Sequence, residues 1–194
     1  TGIGLGSFAS LCENIASDDP TAWNALETYA TASHSDWASH IANLKNANWN
    51  SIQAIGIFYG ANDWHNNVQI GQAYNEDPTL FDGACAYGLK KILTKYPHLQ
   101  VLIFTPMFRE ADGTNSDVPN GAGLNMDAYG ASLKHVQTVF HCPVCDLGNE
   151  ININRYTLYS YTASYDGTHP RKLLGLQRMG WYVAEAVKRY IQPY

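Results

Sequence analysis

Three runs of apolar residues predict the strands of a buried sheet. Residues 52–59 and 99–104 are apolar at nearly every position. Because successive residues of a strand point to opposite faces, such runs are typical of strands that helices cover on both sides. A shorter run at residues 144–147 predicts a third strand. We expect the first two to be inner strands, each with a neighbouring strand on both sides.

Five longer segments repeat apolar residues at helical spacing. They cover residues 21–32, 36–47, 77–96, 125–140 and 171–191. In the second segment Trp37, Ile41 and Leu44 form an apolar face, with Ser35 or Asp36 as N-cap, and we expect this face to pack on the sheet. Helices that alternate with buried strands predict one three-layer α/β/α domain over residues 1–194, with a central, mainly parallel sheet.

The segments between these elements have no clear period. Residues 1–10 contain several glycines, which predict a tight loop whose backbone N–H groups approach a ligand; the alternative is a flexible end without a role in the site. Residues 64–77 predict a loop over the carboxyl edge of the sheet. Residues 112–123 and 148–165 are also predicted to be irregular.

Composition and charge exclude some classes of function. The chain has 194 residues, of which 45% are hydrophobic, enough for one well-buried core. Its net charge of -5 argues against a protein that neutralises the phosphates of nucleic acid. No apolar stretch approaches the roughly 18 residues needed to cross a bilayer. We therefore expect a soluble chain with neither a nucleic-acid partner nor a membrane span.

The four cysteines do not identify a redox or metal function. Cys142 and Cys145 form a single Cys-Pro-Val-Cys sequence, which suits a redox pair or half of a zinc site. No second cysteine pair or nearby histidine pair completes four ligands, so a structural role is favoured. Cys12 and Cys85 are expected to be buried thiols.

Two short motifs carry the candidate chemistry. Asn62 and Asp63 follow the first predicted strand, at the sheet edge where open α/β folds bind ligands. Asp166 precedes His169 by three residues in a glycine-containing turn, which brings a carboxylate to an imidazole and fixes the ring nitrogen that carries the proton. The alternative is that Asp166 and Gly167 only form a turn and Pro170 only begins the last helix.

The sequences Gly60-Ala61-Asn62-Asp63 and Asp166-Gly167-Thr168-His169-Pro170, in this order along the chain, resemble the SGNH (GDSL) hydrolase family. The resemblance covers about residues 1–194. It implies a flavodoxin-like fold and a serine esterase that forms an acyl-enzyme, without a metal or an organic cofactor. The substrate would be a small-molecule or carbohydrate ester, with an O-acetylated carbohydrate preferred.

The resemblance also implies roles for individual residues. His169 would be the base, and Asp166 would orient its ring. Asn62 would donate to the oxyanion together with a backbone N–H of Gly4 or Gly6, between which the spacing does not choose. Further candidates have two readings each. Trp64 and His65, with Tyr74, line a substrate cleft or cover the core edge. Arg109 holds an acidic group of the substrate or, as we favour, a carboxylate of the protein.

The nucleophile of the resembling family is not found in this chain. The family carries Ser in a Gly-Asp-Ser sequence after the first strand, which lies inside the sheet, and neither that sequence nor that strand occurs here. We therefore expect a separate or additional N-terminal segment to supply both and to complete the sheet. Ser7 is the fallback nucleophile. The alternative function is a non-catalytic, carbohydrate-binding member of the same fold.

Overall fold

The computed structural model describes residues 5–33, 37–72, 74–111, 113–163 and 166–192. Five strands are described: β1 Ala54–Phe58, β2 Gln100–Phe104, β3 Glu110–Ala111, β4 Thr114–Asn115 and β5 Val144–Cys145. The α-helices are α1 Leu5–Ala16, α2 Asn24–Ser33, α3 Trp37–Asn46, α4 Ala61–His65, α5 Phe81–Lys95, α6 Met126–Phe140, α7 Leu147–Glu150, α8 Leu158–Tyr161 and α9 Leu173–Tyr190. Short 3-10 helices cover Pro20–Trp23 and Trp49–Ser51.

The central sheet is parallel, with the strand order β1-β2-β5. Ile57 of β1 is in register with Ile103 of β2, which is in register with Val144 of β5. The prediction that the second strand is an inner one is confirmed. In the part of the chain that the structure describes, β1 pairs only with β2, so its neighbour on the other side was not found there. Strands β3 and β4 form a separate antiparallel pair.

Helices cover both faces of this sheet because the strand residues alternate between two apolar clusters. Val101 and Ile103 belong to a cluster that α1, α5 and α6 also line. Leu102 and Phe104 belong to a second cluster, which α9 covers on the opposite face. Fully burying an aliphatic side chain stabilises a fold by about 1.5–3 kcal/mol, so both faces contribute. The predicted α/β class with an open parallel sheet is confirmed.

The start of the chain differs from the prediction. For residues 5–10 the predicted glycine-rich loop is wrong, because α1 begins at Leu5; residues 1–4 of that prediction lie outside the described residues. The buried side chains of α1 are Phe8, Ala9, Cys12 and Ile15, which recur at helical spacing and pack into the core. Gly6 lies in the first turn of α1, and Gly4 lies outside the described residues. The helical spacing of the apolar residues therefore agrees with the observed structure of this segment, and the interpretation based on its glycine content does not.

Helix α3 also packs differently from the expectation. None of its residues is fully buried, and it lies against α2 rather than on the sheet. The rings of Trp37 and Tyr29 are 6.2 Å apart, and Lys45 Nζ is 2.9 Å from Glu27 Oε1. Ile41 and Leu44 are partly buried and pack against the core cluster, so two residues of the predicted apolar face do point towards the core. The proposed caps Ser35 and Asp36 lie outside the described residues.

The other predicted elements agree with the structure to within a few residues. Asn125 caps α6, and its side chain accepts a hydrogen bond from Ala128 N at 3.1 Å. The third strand ends at Cys145, because Leu147 already begins α7. All four cysteines are buried free thiols, as expected for Cys12 and Cys85. Among the described residues, no helix has the length and apolar character required to span a membrane.

Candidate active site

The turn before α9 brings a carboxylate and an imidazole into contact. His169 Nδ1 is 2.9 Å from Asp166 Oδ2 and 3.1 Å from Asp166 Oδ1. The Asp166 side chain is 9% exposed, whereas that of His169 is 63% exposed. An ionised Asp166 makes Nδ1 the protonated nitrogen, which leaves Nε2 as an acceptor that faces solvent. This arrangement can remove a proton from a neighbouring hydroxyl group.

Several donors keep Asp166 in its ionised form. Partial burial pushes the pKa of Asp166 upward, but hydrogen bonds from the His169 ring and from the backbone N–H groups of His169 and Thr168 outweigh it and lower the pKa. Both backbone donors lie 2.9 Å from Oδ1. Arg171 Nε lies 3.2 Å from Oδ2 and adds a positive charge. The carboxylate therefore stays negative where it can support an imidazolium.

The position of this turn depends on Gly167. Its φ angle is +56°, and a Cβ atom here would lie 1.8 Å from the carbonyl oxygen of Glu110. Gly167 O accepts a hydrogen bond from Glu110 N at 2.9 Å. The segment that follows β2 thus holds the turn against the sheet, and no other residue fits at this position.

Asn62 lies directly after β1, in the first turn of α4. The chain turns at Gly60, which has a φ of +119° and lies so close to Pro106 that a Cβ atom would come within 3.0 Å of its ring. The Asn62 side chain is exposed, while Asp63 is buried. The amide of Asn62 is therefore available to a ligand at the carboxyl edge of the sheet, and the carboxylate of its neighbour is turned inward.

Arg109 connects the two motifs. This residue is 7% exposed, and its Nη1 donates a hydrogen bond to Ala61 O at 3.2 Å. Its guanidinium also lies 5.8 Å from the ring centroid of Trp64. Since Glu110 bonds to Gly167, two adjacent residues hold the Asn62 helix and the His169 turn at one edge. Arg109 therefore makes contacts within the protein, and its described side-chain contacts are with a backbone carbonyl and an aromatic ring rather than with the carboxylate that we favoured.

The remaining predicted cleft residues fall into two groups. Trp64 is 3% exposed and belongs to the core cluster, so of the two alternatives its position favours the one in which the ring packs on the core. His65 is exposed at the end of α4. Tyr74 is 73% exposed and lines a different cavity, between α5 and α6.

Ser7 is brought towards Asn62 by α1. Both residues line a cavity of about 260 Å³, together with Leu11, Leu26, Ile41 and Tyr59. Most of the other residues that line this cavity are aliphatic or aromatic. Neither Asp166 nor His169 lines it. The structure therefore associates Ser7 with the candidate oxyanion donor, but not with the candidate base.

Sequence reasoning missed two contributors to this region. The sequence pattern predicts Arg171 only as the first residue of the last helical segment, but its side chain contacts Asp166. Glu110, which holds Gly167, was not considered. The spacing of Asp166 and Arg171 was available in the sequence as a local signal. The contact of Glu110 was not, because nearly sixty residues separate it from the turn and only the fold brings them together.

No protein-family model matches this chain, and no curated protein sequence matches it. Solved structures do resemble it. One crystal structure has 23% sequence identity and a TM-score of 0.68, over 77% of this chain and 70% of the other. A protein from Lactobacillus plantarum has 21% identity and a TM-score of 0.66, over 74% and 70% of the two chains.

A possible lipase from Chitinophaga pinensis is similar at 17% identity, with a TM-score of 0.56 over 76% of this chain and 77% of that chain. At sequence identities this low, the similarity is evidence for a shared backbone fold and not for a shared active site. The comparisons therefore show that this chain has an α/β fold like that of the possible lipase, with an open parallel sheet between layers of helices.

Proposed function

We propose that this protein is a carboxylic ester hydrolase of the SGNH type, which works through an acyl-enzyme. The observation that carries the proposal is the contact between Asp166 and His169, in which a well-solvated imidazole is backed by a buried, multiply hydrogen-bonded carboxylate. A protein that only binds carbohydrate does not need such a pair. The structural likeness to a possible lipase supports hydrolase chemistry at the coarser level.

Each half of the proposed reaction has two proton transfers at His169. Nε2 takes the proton of a serine hydroxyl as its oxygen bonds to the ester carbonyl carbon. When the tetrahedral intermediate collapses, the carbon–oxygen bond to the alcohol breaks and the imidazolium gives that alcohol its proton. Water then repeats the sequence on the acyl-enzyme and releases the acid. Asp166 stabilises the positive ring throughout.

The negative charge that develops on the carbonyl oxygen needs donors. Asn62 Nδ2 is the proposed side-chain donor, because its amide is exposed at the sheet edge beside the carboxyl end of β1. The first N–H groups of a helix have no partner within the helix, so a backbone N–H near Gly6 in the first turn of α1 is the second proposed donor. Gly4 remains the alternative for that donor.

The nucleophile is proposed to come from a further segment of the natural protein. That segment would form a strand beside β1 and present a Ser at its carboxyl end. The open edge of β1 supports this idea, since in the described part of the chain it has a partner on one side only and Phe58 is 46% exposed. Ser7 is the second candidate, because it lines the cavity beside Asn62.

The cavity beside Asn62 bears on the substrate. Its volume of about 260 Å³ and its apolar walls suit the acyl group of an ester, and the exposed Tyr159, whose hydroxyl lies 3.3 Å from Glu110 Oε1, offers an aromatic face to a sugar alcohol. A small-molecule or carbohydrate ester is therefore the proposed substrate class, with the O-acetyl carbohydrate as one member of it.

A fluorophosphonate probe tests the proposal, because it forms a stable bond only with an activated serine. The full natural protein is incubated with the probe, and the labelled peptide is identified by mass spectrometry. Hydrolysis of p-nitrophenyl esters from acetate to octanoate is followed in parallel. We expect one labelled serine and ester hydrolysis, both lost in His169→Ala and both kept in His135→Ala, which changes an exposed histidine elsewhere.

The position of the label separates the candidates. A serine before residue 1 supports the additional strand, and Ser7 replaces it as nucleophile if Ser7 carries the label. Absence of both labelling and hydrolysis, with binding of acetylated sugars, contradicts the esterase and favours the non-catalytic alternative.

A further inference from the structure

A second cavity lies between α5 and α6, away from the turn that holds His169. Its volume is about 630 Å³, and the loop that follows α4 closes one side of it. The residues that matter for its chemistry are Ile70, Tyr74, Asp82, Ala131, Ser132 and His135. None of these residues lines the cavity beside Asn62. Any ligand here would therefore occupy a site separate from the proposed active site.

Two buried polar side-chain atoms of residues that line this cavity have no hydrogen-bond partner in the described part of the chain. Asp82 is 1% exposed, and its Oδ1 is unpaired. Ser132 is 3% exposed, and its Oγ is unpaired. Buried polar groups in folded proteins nearly always have a partner, so two unpaired groups that line one cavity indicate that something else supplies the contacts.

The walls of the cavity are held by the fold. Phe81 N donates to Gln69 O at 2.9 Å, and Asp82 N donates to Ile70 O at 3.0 Å. These bonds fasten the loop to the start of α5. On the opposite side, residues of α6 at positions 128, 131, 132 and 135 share one helical face. The unpaired groups thus lie in a preformed site.

The charges around Asp82 point to the ligand. An ionised carboxylate only accepts hydrogen bonds, and no lysine or arginine lines this cavity in the described residues. The other titratable lining groups are the exposed His135 and Tyr74. Burial raises the pKa of Asp82 to about 7, as expected for a carboxyl group without a partner. A positive group from outside the chain would complete the site.

An organic cation fits better than a metal ion. Calcium takes six to eight oxygen ligands, and in the described residues no three side chains of the metal-binding types come together. An ammonium group donates up to three hydrogen bonds, which suits Asp82 and the Ser132 hydroxyl. The apolar surfaces of Ile70, Ala131 and Val139 surround the rest of the space, and Tyr74 offers an aromatic face.

We propose that the cavity between α5 and α6 binds a small molecule with a primary ammonium group on an apolar body. The ammonium donates to Asp82 and Ser132, and the apolar body packs between Ile70 and the exposed face of α6. This binding site is independent of ester hydrolysis. Its presence or absence therefore says nothing about the chemistry at His169, and the two proposals fail separately.

Calorimetric titration with phenethylammonium chloride at pH 8 tests the proposal on the full protein. Two uncharged or oppositely charged relatives of similar size, 2-phenylethanol and phenylacetate, are the matched probes. We expect saturable binding of the ammonium compound and none of phenylacetate. Asp82→Asn keeps the shape of the side chain and should weaken binding at least about tenfold, while Asp127→Asn, which changes an exposed acid on the neighbouring helix α6, should leave it unchanged.

A second variant covers the case in which Asp82→Asn disturbs the fold. Ala131→Trp fills the cavity from its exposed wall without touching the carboxylate, and it should also abolish binding. Circular dichroism confirms that both variants are folded. The proposal is overturned if phenethylammonium does not saturate up to about 10 mM, if phenylacetate or 2-phenylethanol binds equally well, or if Asp82→Asn binds like the unaltered protein.

Discussion

Asp166 and Asp82 are both carboxylates with little access to solvent, yet their surroundings have opposite effects. Asp166 accepts hydrogen bonds from two backbone N–H groups and a histidine ring, and it contacts Arg171. Asp82 has an oxygen that is buried without a partner in the described residues. The pKa of Asp166 is lowered, and burial raises the pKa of Asp82 to about 7.

Burial alone does not decide the charge of a carboxyl group. Burial raises the pKa in both cases, and the number of donors decides whether that effect is overcome. A carboxylate that is already satisfied can orient a neighbour such as His169 without further contacts. One that is unsatisfied is suited to take up a positively charged ligand.

The largest effect is expected when the imidazole that Asp166 orients is removed. His169→Ala should reduce ester hydrolysis about ten-thousand-fold, because the base is lost, while the thermal unfolding temperature changes little at this exposed residue. The double variant with Asp166→Ala should be only slightly worse, since the two act as a unit. Steady-state kinetics and thermal unfolding measure both effects. Full activity in His169→Ala contradicts the proposed function.

A smaller loss is expected at the other motif. Asn62→Ala should lower kcat about 10²–10³-fold with little change in KM, because the amide meets the oxyanion and not the ground-state carbonyl. Gln69→Ala, which changes an exposed side chain in the loop after α4, is the control. A large rise in KM at constant kcat would instead assign Asn62 to substrate binding.

The unsatisfied carboxylate should reveal itself in the pH dependence of stability. Because its folded pKa is raised, the folded protein keeps a proton that the unfolded chain loses between about pH 4 and 7, so the free energy of unfolding falls as pH rises through this window. Asp82→Asn lacks this loss and should be about 1–3 kcal/mol more stable than the unaltered protein at pH 8, with little difference at pH 4.

Urea denaturation at a series of pH values measures this difference, with Asp127→Asn as the control. A constant difference between the two proteins across the pH range would show that Asp82 has no raised pKa. Addition of phenethylammonium at pH 8 should reduce the difference, since the ligand stabilises only the protein that carries the carboxylate.

The smallest effect is expected from a single donor of the satisfied carboxylate. Arg171→Ala removes the exposed guanidinium group that contacts Asp166. Asp166 then retains its two backbone donors and its contact with His169. The free energy of unfolding should therefore change by less than about 1 kcal/mol. The pKa of Asp166 should rise slightly, as measured by NMR titration. Arg155→Ala, which breaks the exposed contact with Asp117, should leave that pKa unchanged.

Many of the helices and strands follow from the local pattern of apolar residues. The apolar runs predicted β1, β2 and β5, and helical spacing predicted α5, α6 and α9, because these patterns express which faces must be buried. The contact of Asp166 with His169 was also predictable, since three residues and one glycine turn connect them. Where glycine composition was weighed above the apolar period, as for α1, the prediction was wrong.

Contacts between residues that are far apart in the sequence depend on the tertiary structure. Arg109 and Glu110 join the Asn62 helix to the His169 turn through contacts that span about fifty residues in each direction. Asp82 and Ser132 are fifty residues apart and share one cavity because α5 and α6 pack side by side. Trp64 faces the core rather than a cleft for the same reason. Such contacts depend on how whole elements pack, and a local pattern of residues does not contain that information.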